Sequence, residues 1–164
     1  MSKASDAKFP IVKIEDEAHF DSLVAESDKK VGLEWLQVLG MRGLTLSLTF
    51  TPTPPQLVFI DMHEEWCGPC DALAPTLTRV FAEYDACTER MTVCSASISK
   101  LGEHIQKALP SDAPVHLEKN GCLPAFALFR HNQCVGVISG VDGPAIISAI
   151  SNNIPDKPIA VAAD

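Results

Sequence analysis

Apolar and polar positions alternate with changing period along the chain, and the period names the elements. Phe9-Pro10-Ile11-Val12-Lys13-Ile14 is β-branched after a proline, as at a strand start or on an edge strand. Asp16 caps a helix predicted to run to about Ser27, with Phe20, Leu23 and Val24 on one stripe. Leu57-Val58-Phe59-Ile60 is a continuous apolar run, which predicts a strand covered on both faces. Leu73, Leu77, Val80, Phe81 and Tyr84 recur at helical spacing and predict a helix over about 67–85. A strand from Met91 to Ile98, a short helix over 101–109 and a loop from Pro110 to Gly121 follow. Ala125 to Phe129 and Cys134 to Ile138 read as two strands around the turn His131-Asn132. A last helix starts near Pro144, a favoured first-turn position, and carries Ile146, Ile147 and Ile150.

Residues 31–56 break this rhythm. Leu44, Leu46, Leu48 and Phe50 alternate with Thr45, Ser47 and Thr49 as in a half-buried strand, and Thr51-Pro52-Thr53-Pro54-Pro55 suits an extended linker. The alternating run is open to three readings: a strand added to a partner's sheet edge, a surface loop, or mistranslated intervening sequence. The element order predicts an α/β protein, a central mixed β-sheet flanked by helices on both faces. The expected organisation is an N-terminal tail (1–8), one domain over 9–151 with an insertion at 31–56 between the first helix and the following strand, and a loose tail over 152–164.

Composition narrows the classes. The 164 residues are 46% hydrophobic and carry a net charge of −8, too apolar for a disordered chain and enough for one domain with appendages. Thirteen basic against twenty-one acidic residues leave no basic footprint, so no nucleic-acid partner is expected. No run reaches the ~18 apolar residues of a membrane span, so no membrane is expected either. The polar start Met1-Ser2-Lys3-Ala4-Ser5-Asp6 lacks an apolar targeting core, and a cytoplasmic location is expected.

Six cysteines stand at 67, 70, 87, 94, 122 and 134. Without a secretion signal, reduced thiols are the default, with Cys67 and Cys70 as the exception. A strand, Cys-x-x-Cys and then a helix is the pattern of a redox dithiol. Placed on the first turn of the predicted helix, Cys67 meets unpaired amides and the positive end of the macrodipole, which lower a thiol pKa. Cys70, one turn further in, is placed to resolve a mixed disulfide. The other reading of Cys-x-x-Cys is half of a zinc knuckle, but a second pair at knuckle spacing is absent. Neither metal nor cofactor is expected.

Trp66-Cys67-Gly68-Pro69-Cys70 resembles the active-site motif of thioredoxins, and further landmarks fall in register. The resemblance covers about 9–30 and 57–151 and implies a thioredoxin fold. It makes Cys67 the nucleophile, Cys70 the resolving thiol and Asp61 the buried general base; a solvent-facing strand acid is the other reading of Asp61. Trp66, Gly68, Pro69, Leu123, Pro124 and Gly140 become substrate-binding positions, with Pro124 matching a cis-proline and Gly140 the groove's rim. Pro75 matches the proline that kinks the active-site helix. Three positions depart from the pattern: Asp71 where lysine is usual, His63 in place of an aromatic, and Ser95 in place of the lysine that faces the buried acid.

A narrower likeness concerns Asn120-Gly121-Cys122-Leu123-Pro124-Ala125-Phe126 and Val137-Ile138-Ser139-Gly140-Val141-Asp142-Gly143-Pro144, which resemble thioredoxin modules of ciliary and flagellar outer-arm dynein. It makes Cys122 either a third redox thiol near Cys67 or a small apolar filler; Cys87, Cys94 and Cys134 read as packing residues. The implied function is a thioredoxin-like light chain of axonemal dynein with a redox-active dithiol, located in the cilium or flagellum. Its implied partners are protein disulfides and a dynein heavy chain or other axonemal subunits. A free cytosolic thioredoxin acting as a general protein-disulfide reductase is the alternative.

Overall fold

The structure, a computed structural model, describes residues 9–27, 56–67, 70–119 and 121–157. The 44–50 alternation, the proline cluster at 51–55 and the two terminal segments 1–8 and 158–164 lie outside the described residues. The elements are β1 (Ile11–Lys13), α1 (Glu17–Glu26), β2 (Leu57–His63), a 3-10 turn (Asp71–Leu73), α2 (Ala74–Glu83), α3 (Cys87–Arg90) and β3 (Met91–Ser97). They continue with α4 (Ile98–Ala108), a second 3-10 turn (Leu117–Lys119), β4 (Ala125–Arg130), β5 (Gln133–Ser139) and α5 (Gly143–Asn153).

Burial makes β2 the centre of the sheet. Every residue from Leu57 to Met62 is buried, as the continuous apolar run requires of a strand covered on both faces. The five strands lie in the order β1-β3-β2-β4-β5. β3 runs parallel to both β1 and β2, and β4 pairs antiparallel with β2 and β5. The sheet is therefore mixed, as the element order predicted. Period two then sorts the side chains. Val58, Ile60 and Met62 meet Phe20, Leu23, Ile105 and Phe129 in the core beneath α1 and α4. Leu57 and Phe59 meet Leu77, Val80, Phe126, Ile146 and Ile150 beneath α2 and α5. Fully burying one such large apolar side chain stabilises the fold by about 1.5–3 kcal/mol. The same alternation puts Asp61 on the α2 face.

Local chemistry sets the ends. Asp16 is the N-cap of α1 and accepts a hydrogen bond from the His19 N–H at 2.8 Å. At the other end of α1, the Ser27 Oγ accepts from the Asn132 N–H at 2.9 Å, and the Ser27 carbonyl accepts from the His131 N–H at 3.1 Å. These bonds tie α1 to the β4–β5 turn, where His131 and Asn132 take φ of 53° and 58°, the left-handed pair a tight hairpin needs.

Three boundaries depart from expectation. The active-site helix does not begin at Cys67. Cys70 is extended, a 3-10 turn follows, and α2 starts at Ala74 with Pro75 in its first turn. A helix begun at 67 would put Pro75 in its interior, where the ring clashes with a carbonyl and a hydrogen bond is lost. Pro75 thus starts this helix rather than kinking it. α4 begins at Ile98, before the expected 101, because Ile98 and Leu101 bury against the sheet. Residues 152–155, expected in a loose tail, are ordered against the domain: Asn152 and Asn153 complete α5, and Ile154 and Pro155 are buried. The anchor is Arg90 of α3, a short helix absent from the expected elements. Its Nε donates to the Pro155 carbonyl at 2.7 Å, a guanidinium nitrogen donates to the Asp85 carbonyl at 3.1 Å, and its Cζ lies 5.6 Å from the Tyr84 ring centroid.

Candidate functional site

The C-terminal end of β2, the turn after it and the approach to β4 form one cleft of about 240 Å3. Its lining includes Asp61, His63, Cys67, Cys70, Cys122 and Pro124. Residues 57–63 deliver the acid, 64–70 the two cysteines, and 121–124 the third cysteine from across the sheet.

Asp61 is 4% exposed, so the solvent-facing reading fails. Its Oδ2 accepts a hydrogen bond from the Cys70 N–H at 2.9 Å, while Oδ1 is buried with no partner among the described residues. Burial pushes the Asp61 carboxyl above its ordinary value; the Cys70 amide and the nearby His63 oppose this only in part. Asp61 and Ser95 stand opposite each other in the β2–β3 register. Where the family pattern has a lysine facing the acid, Ser95 instead bonds the His63 Nε2 through its Oγ at 2.8 Å, and His63 Nδ1 approaches the Glu64 carbonyl at 3.1 Å. His63 is thus a half-buried bridge between the two strands' ends.

The turn that carries Cys67 is pinned twice. Its N–H donates to the Glu64 carbonyl at 3.0 Å, and Glu65 pairs with Lys100 of α4. The Lys100 hydrogen bond holds the Glu65 carboxyl below its usual range. Cys67 is exposed and joined by a disulfide to Cys122, 55 residues along the chain, with Cα atoms 6.4 Å apart. That separation lies within the range that two cysteines can bridge. Of the two readings of Cys122, a buried apolar filler does not fit: the residue is exposed and bonded to Cys67. Cys70 is a half-buried thiol. Cys67 is not a first-turn residue of α2; Cys70 is the residue that precedes the 3-10 turn leading into it.

The remaining positions divide. Leu123 is 51% exposed and Trp66 76% exposed; Leu123 lines the cleft and Trp66 stands outside its lining. The Leu123–Pro124 peptide is trans, not cis. Trans is the lower-energy isomer by about 0.5–1 kcal/mol, and here the Pro124 carbonyl is held by the Gly140 N–H at 2.7 Å. Gly140 has φ of +78° and does not line the cleft; it positions Pro124 instead. Gly68 and Pro69 lie outside the described residues. Asp71 lines the cleft and opens the 3-10 turn. Cys87 and Cys94 are buried, and Cys134 is half-buried beside the α1–α4 core. Burial raises all three thiols, Cys94 to about 12, so they are protonated packing groups. Glu65 and Lys100 were not foreseen, because their pairing depends on a turn meeting a helix. Among the described residues no three His, Cys, Asp or Glu side chains gather as a metal site, and no helix is long and apolar enough to cross a membrane.

Comparison with known proteins bears on this geometry. The thioredoxin family model matches residues 51–152. The chain is 29% identical over 107 residues to the "Dynein 14 kDa light chain, flagellar outer arm" of Chlamydomonas reinhardtii, covering 63% of this chain and 72% of that protein. It is 26% identical over 124 residues to the "Thioredoxin domain-containing protein 3 homolog" of Heliocidaris crassispina; the match takes 75% of this chain but spans only 12% of that much longer protein. Among solved structures, the reduced thioredoxin pre-protein of Schistosoma mansoni superposes with a TM-score of 0.52 at 19% identity, over 89% of this chain and all of that one. The mixed five-strand sheet flanked by helices is the thioredoxin fold. With more than half its length matched by the family model, the chain belongs to the thioredoxin family.

Proposed function

We propose that the protein is a redox-competent thioredoxin-like light chain of an axonemal outer dynein arm, with Cys67 and Cys70 as its exchanging thiols. The observation that carries the chemistry is the shared cleft: exposed Cys67, half-buried Cys70, and a buried carboxyl bonded to the Cys70 amide. In the reduced protein, Cys67 as thiolate attacks a partner disulfide and one partner sulfur leaves with its electron pair and takes a proton. Cys70 then attacks the Cys67 sulfur, Asp61 accepts the Cys70 proton, and the second partner sulfur is released. The protein is left with a Cys67–Cys70 disulfide and the partner with two thiols. Raising the Asp61 pKa suits it to that transfer, since a stronger base holds the proton better near neutral pH.

The dynein assignment draws on the similarity to the Chlamydomonas outer-arm light chain and places the protein in the cilium or flagellum, beside a heavy chain or other axonemal subunits. The intact 66–70 motif favours the second reading, a free cytosolic thioredoxin that reduces protein disulfides generally. Insulin reduction with dithiothreitol tests the chemistry: Cys67→Ser is expected to abolish the catalysed rate, and an unchanged rate would refute it. Purified outer-arm dynein tests the assembly. The chain should co-purify with heavy chains; recovery only as free protein removes the dynein reading and leaves the general reductase.

A further inference from the structure

Catalysis by Cys67 and Cys70 gives no part to Cys122, yet the bond present in this structure is Cys67–Cys122. Both of its cysteines are exposed, so the bond is open to attack. The third thiol in the cleft, Cys70, stands three positions after Cys67 and remains unbonded. The other three thiols lie outside the cleft and are held protonated by burial. Cys122 belongs to the turn before Leu123 and Pro124, so the bond spans the mouth of the cleft. In this state the nucleophile is consumed and the approach to it is bridged.

We propose that Cys122 is a third redox-active residue, which caps Cys67 in an oxidised, closed state that Cys70 opens by internal exchange. The inference rests on the reading of Cys67 as an exchanging thiol. Cys70, its proton passed to Asp61, attacks the Cys67 sulfur. A Cys67–Cys70 bond forms as the Cys67–Cys122 bond breaks, and the electron pair leaves on the Cys122 sulfur, which takes up a proton. One disulfide replaces another, so no external oxidant or reductant is consumed. The product presents Cys122 as an exposed thiol at the cleft mouth, available for exchange with a partner's disulfide. The chain thus has two oxidised isomers, and only one of them frees Cys122.

The test uses the full chain, reduced, desalted and oxidised with one equivalent of diamide, then blocked with N-ethylmaleimide, digested without reduction and read by mass spectrometry. Wild type is expected to give both Cys67–Cys122 and Cys67–Cys70 linked peptides. Cys70→Ser should give the Cys67–Cys122 link alone, and Cys122→Ser should lose it completely. Cys70→Ala repeats the test if Cys70→Ser misfolds by circular dichroism. Folded Cys70 variants that oxidise without the Cys67–Cys122 link overturn the proposal. Insulin reduction separates the two readings. A wild-type chain that forms the link but reduces no insulin sustains the capping bond and removes general catalysis. One that reduces insulin without ever forming the link keeps catalysis and removes the cap.

Discussion

Replacing Asp61 by Asn isolates the cost of a buried charge. In the folded protein the carboxyl is 4% exposed, one oxygen accepts the Cys70 amide and the other has no partner among the described residues. Burial raises its pKa, so across a window above the ordinary Asp value of about 3.9 the folded chain holds a proton that the unfolded chain has lost. Stability therefore falls as pH rises through that window, by at most ~1.4 kcal/mol per pH unit, and stays low above the raised value. Asp61→Asn keeps the shape and the acceptor for Cys70 but never ionises. At low pH both proteins carry a neutral group, and their stabilities should coincide. Once the pH has passed the raised value, the wild type carries a carboxylate whose unpartnered oxygen costs about 1–3 kcal/mol. The variant's amide nitrogen inherits the same empty surroundings, which places the net gain near the lower end, about 1 kcal/mol or 2–4 °C in Tm. Urea titrations of both proteins from pH 4.5 to 8.5, held reduced with a phosphine, read the gap directly. A gap that stays constant with pH, or a variant that becomes the less stable partner as pH rises, refutes the reasoning.

Other sites give shorter tests. Gly140→Ala meets no neighbouring atom within 4 Å but must adopt φ of +78°, so strain alone should lower stability by about 1–2 kcal/mol; an unchanged urea midpoint contradicts this. Arg90→Met leaves the Pro155 and Asp85 carbonyls without their donor, at a cost of about 1–3 kcal/mol, and should speed hydrogen exchange at the Ile154 amide, which bonds to Ile150; equal exchange would deny the anchor. Pulsed alkylation of the reduced protein at pH 8 should label Cys67, Cys70 and Cys122 well before Cys94, whose buried thiol is pushed up to about 12; early labelling of Cys94 would count against that burial.

Local chemistry was legible along the chain wherever it acts over a few residues. Asp16 as a cap, the fully buried run at 57–60 and the hairpin turn at 131–132 each follow from side chains a turn or less apart. The placing of Cys67 and Cys70 just after a buried strand was legible for the same reason, since strand and motif are contiguous, whereas the burial of Asp61 was marked through the family likeness. Competition between neighbours was harder to read. Helical spacing from Leu73 onward suggested a start at Cys67, but Pro75 tolerates only the first turn, and that constraint won. Distant meetings left no trace in the pattern. Nothing in the residues around Arg90 announces that Pro155 will lie against it, or that Ser95 will engage His63 rather than Asp61. Cys122 was marked only through a family likeness, and its bond to Cys67 follows from the sheet order, which brings β4 beside β2.

That bond also acts as a staple. It closes a loop 55 residues long that contains β3, α2 and α4, whereas a Cys67–Cys70 bond would close almost nothing. In the chain-entropy treatment, closing so long a loop removes about 4 kcal/mol of disorder from the unfolded state. Exchange between the two pairings therefore changes how tightly the chain is held together, although the number of disulfides is the same. Under the proposed exchange, bonding of Cys122 goes with a more restricted unfolded chain, and its release with an exposed thiol. In the exchange proposed above, a single sulfur's choice of partner would thus shift the balance between the folded and the unfolded chain.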